Sequence, residues 1–306
     1  MAGGVITTGS HPKLLWPGIK ATWGQMYAEH PWEYPALYDV ENSEQAWEED
    51  VQITPFGLAQ YKAEGATGYF DTETQGPVTR YTHLAYFLGY KVTYEELEDN
   101  LYEIVSTRRA KANAFSMIQT VENVAVVPYN DAFAGNYYTG GDGLSLCNTA
   151  HTNTTGGTYS NELSPGADLS EAALEDMVIQ IMGTQNDRGL LINIMPEGLH
   201  IPRQEWFNAH RILKSVLQSG TANNDPNVLR MTNAFPKGIS MNHYFTAAHA
   251  WFVRTNCPEG MKYYWREHPS FAQDNDFDTM NLKARSYMRL SVGNTDPRAI
   301  FGSNGP

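Results

Sequence analysis

One long stretch with neither glycine nor proline, residues 93–127, constrains the fold of this chain more than any other feature. Thr93 and Glu96 have the spacing of a capping box, in which each side chain accepts a hydrogen bond from the other residue's backbone amide. Acidic residues fill the first turns, where the helix dipole favours negative charge, and Pro128 has no amide with which to continue a helix. The sequence therefore predicts one helix over 93–127, roughly 50 Å long, several times the average length.

Apolar residues recur within this stretch at steps of three and four, the pattern of a helix with one buried face. They are Leu97, Leu101, Ile104, Val105, Ala112, Phe115, Ile118 and Val124. This stripe predicts which side of the helix faces the core.

Aromatic residues and prolines precede the helix without a helical period. Trp16, Trp23 and Trp32 lie close to Pro12, Pro17, Pro31 and Pro35. This spacing favours an extended path with short turns over residues 1–46. Because exposed tryptophans promote aggregation, we expect the rings to lie either on the body of the same chain or on a neighbouring subunit.

Residues 51–90 are predicted to form a long β-hairpin. Apolar and polar residues alternate at 51–54 and 78–82, and the segment between is rich in glycine, threonine and acids. The tip, around residues 65–76, is expected to be polar and flexible. A two-stranded ribbon is marginally stable alone, so the hairpin needs a partner surface; a loop insertion in an ordinary domain is the alternative interpretation.

The second half of the chain predicts a mixed α/β domain followed by a long strand. Ser170 begins an amphipathic helix that Gly183 ends, residues 190–195 are predicted as a short buried strand, and residues 203–217 as a second helix. Residues 283–292 then alternate between polar and apolar, the period of two typical of a strand.

Composition and charge narrow the class of protein. The chain has 306 residues and 42% hydrophobic content, enough for a large core and about two domains. The sequence contains no run of 18 apolar residues, so no transmembrane helix is predicted, and the first residues lack the apolar core of a signal peptide. The formal net charge of −13 argues against a surface that grips nucleic acid tightly.

No catalytic or metal-binding motif emerges, so no enzyme activity, metal or cofactor is predicted. Cys147 and Cys257 have no CxxC partner and are expected to be reduced thiols. Cys147 with His151 is a weak candidate for a nucleophilic pair. Asp274, Asp276 and Asp278 resemble the start of a calcium loop, but the required glycine and the later glutamate are missing.

The last residues carry a resemblance to a known family. The run Ala284–Gly293, followed by Asp296-Pro297-Arg298-Ala299-Ile300-Phe301-Gly302-Ser303, resembles the closing strand and DPRG-type turn of tailed-bacteriophage major capsid proteins with the Hong Kong 97-type fold. Ala299 stands where glycine is commoner in that family. The order of predicted elements is also similar across nearly the whole chain.

This resemblance implies an α+β fold with a specific layout. The implied regions are an N-terminal arm (1–46), an extended hairpin or E-loop (47–92), a peripheral domain with a long spine helix (93–139), an axial domain (140–250) and strands that return into the peripheral domain (251–306). The predicted inter-subunit contacts are Trp16, Trp23, Trp32, Gly65, Gly68 and Gly76.

The implied function is that of a major capsid protein. Copies would assemble as hexamers and pentamers into the icosahedral head shell of the virion, in the host cytoplasm, around loosely held double-stranded DNA. The implied partners are a separate scaffolding protein, a portal and a decoration protein. An encapsulin-type compartment shell is the alternative within structural proteins, and a cytosolic hydrolase with a site in the loops at 140–160 is the alternative from another class.

Overall fold

The computed structural model describes residues 16–98, 102–218, 225–276 and 281–305. The helices in these ranges are α1 (Trp16–Ala28), α2 (Tyr34–Leu37), α3 (Tyr94–Glu98), α4 (Tyr102–Asn130), α5 (Glu171–Met182), α6 (Trp206–Lys214) and α7 (Val228–Met231). The strands are β1 (Asp39–Asn42), β2 (Trp47–Thr54), β3 (Thr74–Thr82), β4 (Leu84–Val92), β5 (His151–Thr152), β6 (Thr158–Tyr159), β7 (Pro196–Pro202), β8 (Gly238–Asn242), β9 (Trp251–Thr255), β10 (Met261–Asn275), β11 (Leu282–Asn294) and β12 (Ile300–Ser303).

The first layer pairs a four-stranded sheet with the long helix α4. The strand order is β1-β10-β11-β4, with β11 antiparallel to both of its neighbours. The predicted alternation is confirmed along β11, where Ala284, Met288 and Leu290 are buried. These side chains belong to the same core as Ala114 and Val121 of α4, so the long helix and the terminal strand pack together.

A second sheet builds the α/β domain. Its strand order is β12-β9-β7-β8, and α5 and α6 contribute to the core that its apolar residues form. Ser170 caps α5 by accepting a hydrogen bond from the Ala173 amide, and Gly183 is the C-cap, as the sequence predicts. The combination of two sheets with helices confirms the α+β class.

The predicted hairpin exists as β2 and β3, which pair antiparallel from Trp47 with Thr82 to Thr54 with Thr74. The following strand, β4, does not extend this hairpin. It pairs along its whole length with β11, so part of the range 47–92 belongs to the first sheet. Residues 55–73 form the loop of the hairpin.

The long helix differs from the prediction at its end and on its buried face. Helix α4 continues through Pro128 to Asn130, because a missing amide in the last turn costs one hydrogen bond and Tyr129 is anchored by donating to the Leu37 carbonyl at 3.0 Å. Ala112 and Phe115, predicted to face inward, are exposed.

The buried residues of α4 include Ala110, Asn113, Ala114, Met117, Ile118, Val121, Glu122, Ala125, Val126 and Tyr129. Ile118 of the predicted stripe is therefore buried as expected, and Val124 is partly buried against the core of the first layer. Leu97, Leu101, Ile104 and Val105 of the predicted stripe lie outside the described side chains. At the start of the predicted helix, Thr93 Oγ1 accepts a hydrogen bond from the Glu96 amide at 3.4 Å, as expected of a cap.

Three further predictions are corrected. The segment predicted as extended contains α1, because Pro17 lies in the first turn, where its missing amide is tolerated. The strand predicted at 190–195 begins instead at Pro196, and Leu191 is exposed. The second helix ends at Lys214. No helix among the described residues is both long and apolar enough to span a membrane.

Candidate functional site

Large apolar side chains are exposed along the hairpin. They are Trp47, Val51, Ile53, Phe56, Leu58, Tyr61, Tyr69, Phe70 and Val78. Tyr61 is 94% exposed and Phe70 is 88% exposed. A concentration of exposed apolar side chains in one element marks a surface that another molecule covers. The candidate functional site is therefore an interaction surface.

The hairpin tip is not the polar segment that the sequence predicted. Gly65 and Gly68 are exposed in the loop, as expected, but Tyr69 and Phe70 follow them directly. Gly76 lies in β3, where a β-carbon would come within 2.8 Å of the Gln52 carbonyl oxygen. This close approach of the two strands requires glycine.

The base of the hairpin is fixed to the first sheet through Asp50. Its carboxylate lies 2.8 Å from Lys262 Nζ and accepts a hydrogen bond from Thr295 Oγ1 at 2.9 Å. The side chain of Lys262 is only 8% exposed, so the pair is largely shielded from water. Sequence reasoning missed this contact, although a single lysine in the apolar run Met261–Trp265 is a signal for a buried partner.

Arg298 of the DPR turn anchors the loop that follows α5. Its Nη2 lies 2.6 Å from Asp187 Oδ1, and both side chains are less than 5% exposed. The same nitrogen donates to Asn153 Oδ1 at 2.9 Å, and Nε donates to the Gln185 carbonyl at 3.0 Å. The guanidinium also stacks over the ring of Tyr159. The turn, two loops and the strand β6 are thereby joined at one residue.

A groove of about 480 Å³ opens on the first sheet, at the end of β11 away from the hairpin base. Phe87, Gly89, Lys91, Lys283 and Arg285 are among the residues that line it. Lys91 and Lys283 lie directly opposite each other on neighbouring strands, an arrangement that destabilises a sheet. Asp274 also lines the groove, and Lys283 Nζ lies 2.6 Å from Asp276 Oδ2. The groove thus combines apolar surface with basic side chains, of which Lys91 and Arg285 are not paired with that acid.

The α/β domain carries two more exposed apolar patches. One contains Ile179 and Met182 of α5, and the other contains Phe207 of α6 and Met231 of α7. Helix α5 contacts the segment that pairs with β12, through Gln180, whereas α6 packs near β8. Since β12 and β8 are the two edges of the sheet, the patches lie toward opposite edges.

The tryptophans predicted to contact a neighbouring subunit differ in how deeply they are buried. Trp23 is 5% exposed, stacks on Phe271 and donates a hydrogen bond to Asn113 Oδ1 at 3.0 Å. Trp32 is partly buried against the same core. The sequence left open whether these rings lie on the body of their own chain or on a neighbouring subunit. In the structure, both rings lie on the body of their own chain. The side chain of Trp16 lies outside the described residues.

Glu122 is a buried acid that sequence reasoning did not single out. It lies on α4 with its side chain 0% exposed, and its two oxygens accept hydrogen bonds from the Glu33 and Tyr34 amides at 2.8 and 3.1 Å. Burial raises the pKa of Glu122 to about 7, although both amide hydrogen bonds oppose the shift. The hydrogen bonds of this carboxyl group connect the start of α2 to the long helix.

The candidates for chemistry are not brought together. Cys147 is buried, and burial raises the pKa of its thiol, which disfavours the reactive thiolate. His151 Nδ1 instead donates to the Asp142 carboxylate at 2.6 Å. Asp276 forms an ion pair with Lys283, and Asp278 lies outside the described residues. No cluster of potential metal ligands occurs in the part of the chain that the structure describes.

Comparisons with known proteins identify the architecture. Residues 78–302 match the family model described as phage capsid protein. The capsid of Myoviridae phage XM1 has a similar structure, with a TM-score of 0.54 and 12% identity, over 99% of this chain and 100% of that chain. The virus-like particle from Pyrococcus furiosus also has a TM-score of 0.54, with 11% identity, over 94% and 98%.

The procapsid of bacteriophage JBD30 is similar with a TM-score of 0.51 and 15% identity, over 97% of this chain and 76% of that chain. At these identities the likeness establishes the fold. No curated protein sequence matches the chain significantly.

The fold, with its extended hairpin, is that of the solved capsid structures. The family match covers well over half of the residues, and the chain belongs to the phage capsid protein family. It is a major capsid protein of the icosahedral phage head, with its place in the virion. Family membership implies a structural, non-enzymatic role, and it favours the phage head over the encapsulin-type compartment.

Proposed function

We propose that copies of this chain assemble into hexamers and pentamers in which the hairpin of each copy contacts a neighbour. The observation that carries this proposal is the exposure of apolar side chains on the hairpin, above all Tyr61 and Phe70. A monomer would leave this surface in water, whereas a shell with many identical contacts would bury it.

The groove on the first sheet supports a head-to-tail contact. The hairpin base is attached near Lys262 and Thr295, beyond one end of β11, while Lys283 and Arg285 lie near the other end. At about 3.3 Å per residue these ends are roughly 30 Å apart. The hairpin loop carries Glu64 and Glu73 beside its aromatic residues, together with Lys62. The two carboxylates are suited to Lys91 and Arg285 in the groove of another copy.

The two patches on the α/β domain support ring formation. Apolar surfaces toward opposite edges of one sheet are suited to a heterologous interface, in which one edge of each copy meets the other edge of the next. On this proposal, the ranges 1–46, 47–92, 93–139, 140–250 and 251–306 act as arm, E-loop, peripheral domain, axial domain and returning strands. The scaffolding, portal and decoration proteins stay predictions, as does loose contact with DNA.

A triple substitution in the hairpin loop tests this function. We expect Tyr61→Ser, Tyr69→Ser and Phe70→Ser together to leave the subunit folded, because these side chains are exposed, and to reduce the yield of shells at least tenfold. Electron microscopy and sedimentation measure assembly, and thermal melting measures folding.

The matched control changes two exposed polar residues of the same loop, Gln60→Ser and Thr67→Ser, which should leave assembly unchanged. If the triple variant forms shells with the yield of the unmodified protein, the hairpin does not make the proposed contact.

A further inference from the structure

The hairpin loop is attached to its own subunit by a residue that no sequence motif indicates. Arg188 follows α5, and its Nη2 donates a hydrogen bond to the Thr72 carbonyl at 2.6 Å. Its Nη1 lies 3.4 Å from Asp71 Oδ1. The guanidinium therefore contacts the returning arm of the loop, shortly before β3 begins at Thr74.

Asp71 links the two arms of the loop to each other. Its Oδ2 accepts a hydrogen bond from the Gly57 amide at 2.8 Å, and its Oδ1 accepts one from the Thr72 amide at 2.9 Å. The Gly57 hydrogen bond is the main reason why the pKa of Asp71 is lowered, so the group is ionised near neutral pH. Arg188 thus binds an ordered, negatively charged point in the loop.

The loop that carries Arg188 is held by hydrogen bonds within it. Asn186 Oδ1 accepts hydrogen bonds from the Arg188 and Leu190 amides, both at 2.9 Å. Gly189 turns the chain with a φ of +75°, a conformation that favours glycine. Asp187 points the other way, into the buried pair with Arg298. Two consecutive residues therefore make contacts in opposite directions: Asp187 pairs with Arg298 in the body of the subunit, and Arg188 contacts the hairpin loop.

Few other contacts hold the far part of the hairpin. The Asp50 contacts fix its base, and Thr54 Oγ1 lies 3.5 Å from Asp187 Oδ2 at the end of β2. Residues 55–73 have no regular secondary structure, and their aromatic side chains are exposed. Without a contact beyond the strands, a loop of this length would sample many directions.

We propose that Arg188 is a positioning residue that holds the hairpin loop in the direction from which it engages a neighbouring copy. This inference rests on the proposed function for its consequence in the shell, but the attachment itself is a property of the single subunit. The α/β domain, through Asp187 and Arg188, then determines where Tyr61 and Phe70 are presented.

Tryptic cleavage after Lys62 of the unassembled subunit tests the attachment, because Lys62 is exposed and is the only lysine or arginine in residues 55–73. We expect Arg188→Ala to increase the rate of this cleavage about tenfold, since a charge-assisted contact is lost. Arg188→Lys should also increase it, because an ammonium group does not reproduce the two-nitrogen contact of the guanidinium.

Arg211→Ala, which removes an exposed arginine of the same domain, is the matched control and should leave the rate unchanged. Melting curves identify any variant that fails to fold. If Arg188→Ala fails to fold, the cleavage rate is compared in Arg188→Lys, which keeps the charge and most of the side-chain volume. Equal cleavage rates in the folded variant and the unmodified protein would overturn the proposal.

Assembly separates this inference from the proposed function. We expect Arg188→Ala subunits to form fewer regular shells, with cleavage after Lys62 suppressed in the shells that form, because the neighbouring copy then covers the loop. Faster cleavage in the subunit together with shells of normal yield and size would overturn the positioning role. That result would not contradict the proposed contact of the hairpin with a neighbouring copy, because the triple substitution in the loop tests that contact separately.

Discussion

Replacing Arg298 by methionine is expected to lower the free energy of unfolding of the subunit by about 3–5 kcal/mol, because one partner of a buried ion pair is removed. Asp187 would keep its charge in a site where it is 4% exposed, and Asn153 and the Gln185 carbonyl would lose their donor. Urea denaturation of the unassembled subunit, followed by circular dichroism, measures this change.

Two further variants give this experiment its controls. Arg80 forms an exposed pair with Glu49 at 3.8 Å and its guanidinium lies 4.2 Å from the ring centroid of Trp47, so Arg80→Met should cost only about 0.5–2 kcal/mol. Adding Asp187→Asn to Arg298→Met removes the uncompensated charge and should recover part of the loss. Similar effects for Arg298→Met and Arg80→Met would mean that the DPR turn is not held by its arginine.

The second large effect is expected in the pH dependence of stability, through Glu122. Its pKa in the folded chain is about 7, above the usual 4.5, so the folded state binds the proton more tightly than the unfolded state. This contribution to stability is complete below about pH 4.5 and is lost as the pH rises through 7. Between pH 5 and 8 this contribution should change the free energy of unfolding by about 2–3 kcal/mol, since one pKa unit corresponds to about 1.4 kcal/mol.

Comparison with Glu122→Gln isolates this contribution. Buried histidines act in the opposite direction: burial lowers the pKa of His83 and lowers that of His200 to about 3, so their contribution is lost as the pH falls below 6.5. His83 and His200 are common to both proteins, whereas His30 Nε2 lies 3.7 Å from Glu122 Oε1. The difference between the two stability curves therefore reports Glu122 together with its interaction with His30. We expect the stability of the unmodified protein to fall relative to the variant from pH 5 to 8; parallel curves would contradict the assignment.

The predictions that succeeded rest on short-range patterns. Alternation over 283–292 identified β11, and Ser170 with Gly183 bounded α5, because capping and side-chain alternation depend on residues a few positions apart. The resemblance of the residues around Arg298 to phage capsid proteins led to the family that the match over 78–302 establishes.

The predictions that failed required knowledge of distant partners. The buried face of α4 was predicted only in part: Ile118 is buried as expected, whereas Ala112 and Phe115 are exposed. Asn113 is buried instead and accepts a hydrogen bond from Trp23, 90 residues away. Helix α4 also passes Pro128, held by the contact of Tyr129 with Leu37. Both contacts join residues that are far apart in the chain, so the local spacing of apolar residues does not indicate them.

Local sequence patterns were sufficient to predict the α+β class, the hairpin, the long helix and the terminal strand, and the resemblance of the last residues pointed to the family that the match over 78–302 establishes. Tertiary structure alone decided that Trp23 lies in the subunit's own core, that β4 joins β11, and that Asp187 and Arg188 connect the terminal turn to the hairpin loop. Local propensity and periodicity act over a few residues, whereas the pairing of Arg298 with Asp187 joins positions 111 residues apart and forms only when the chain has folded.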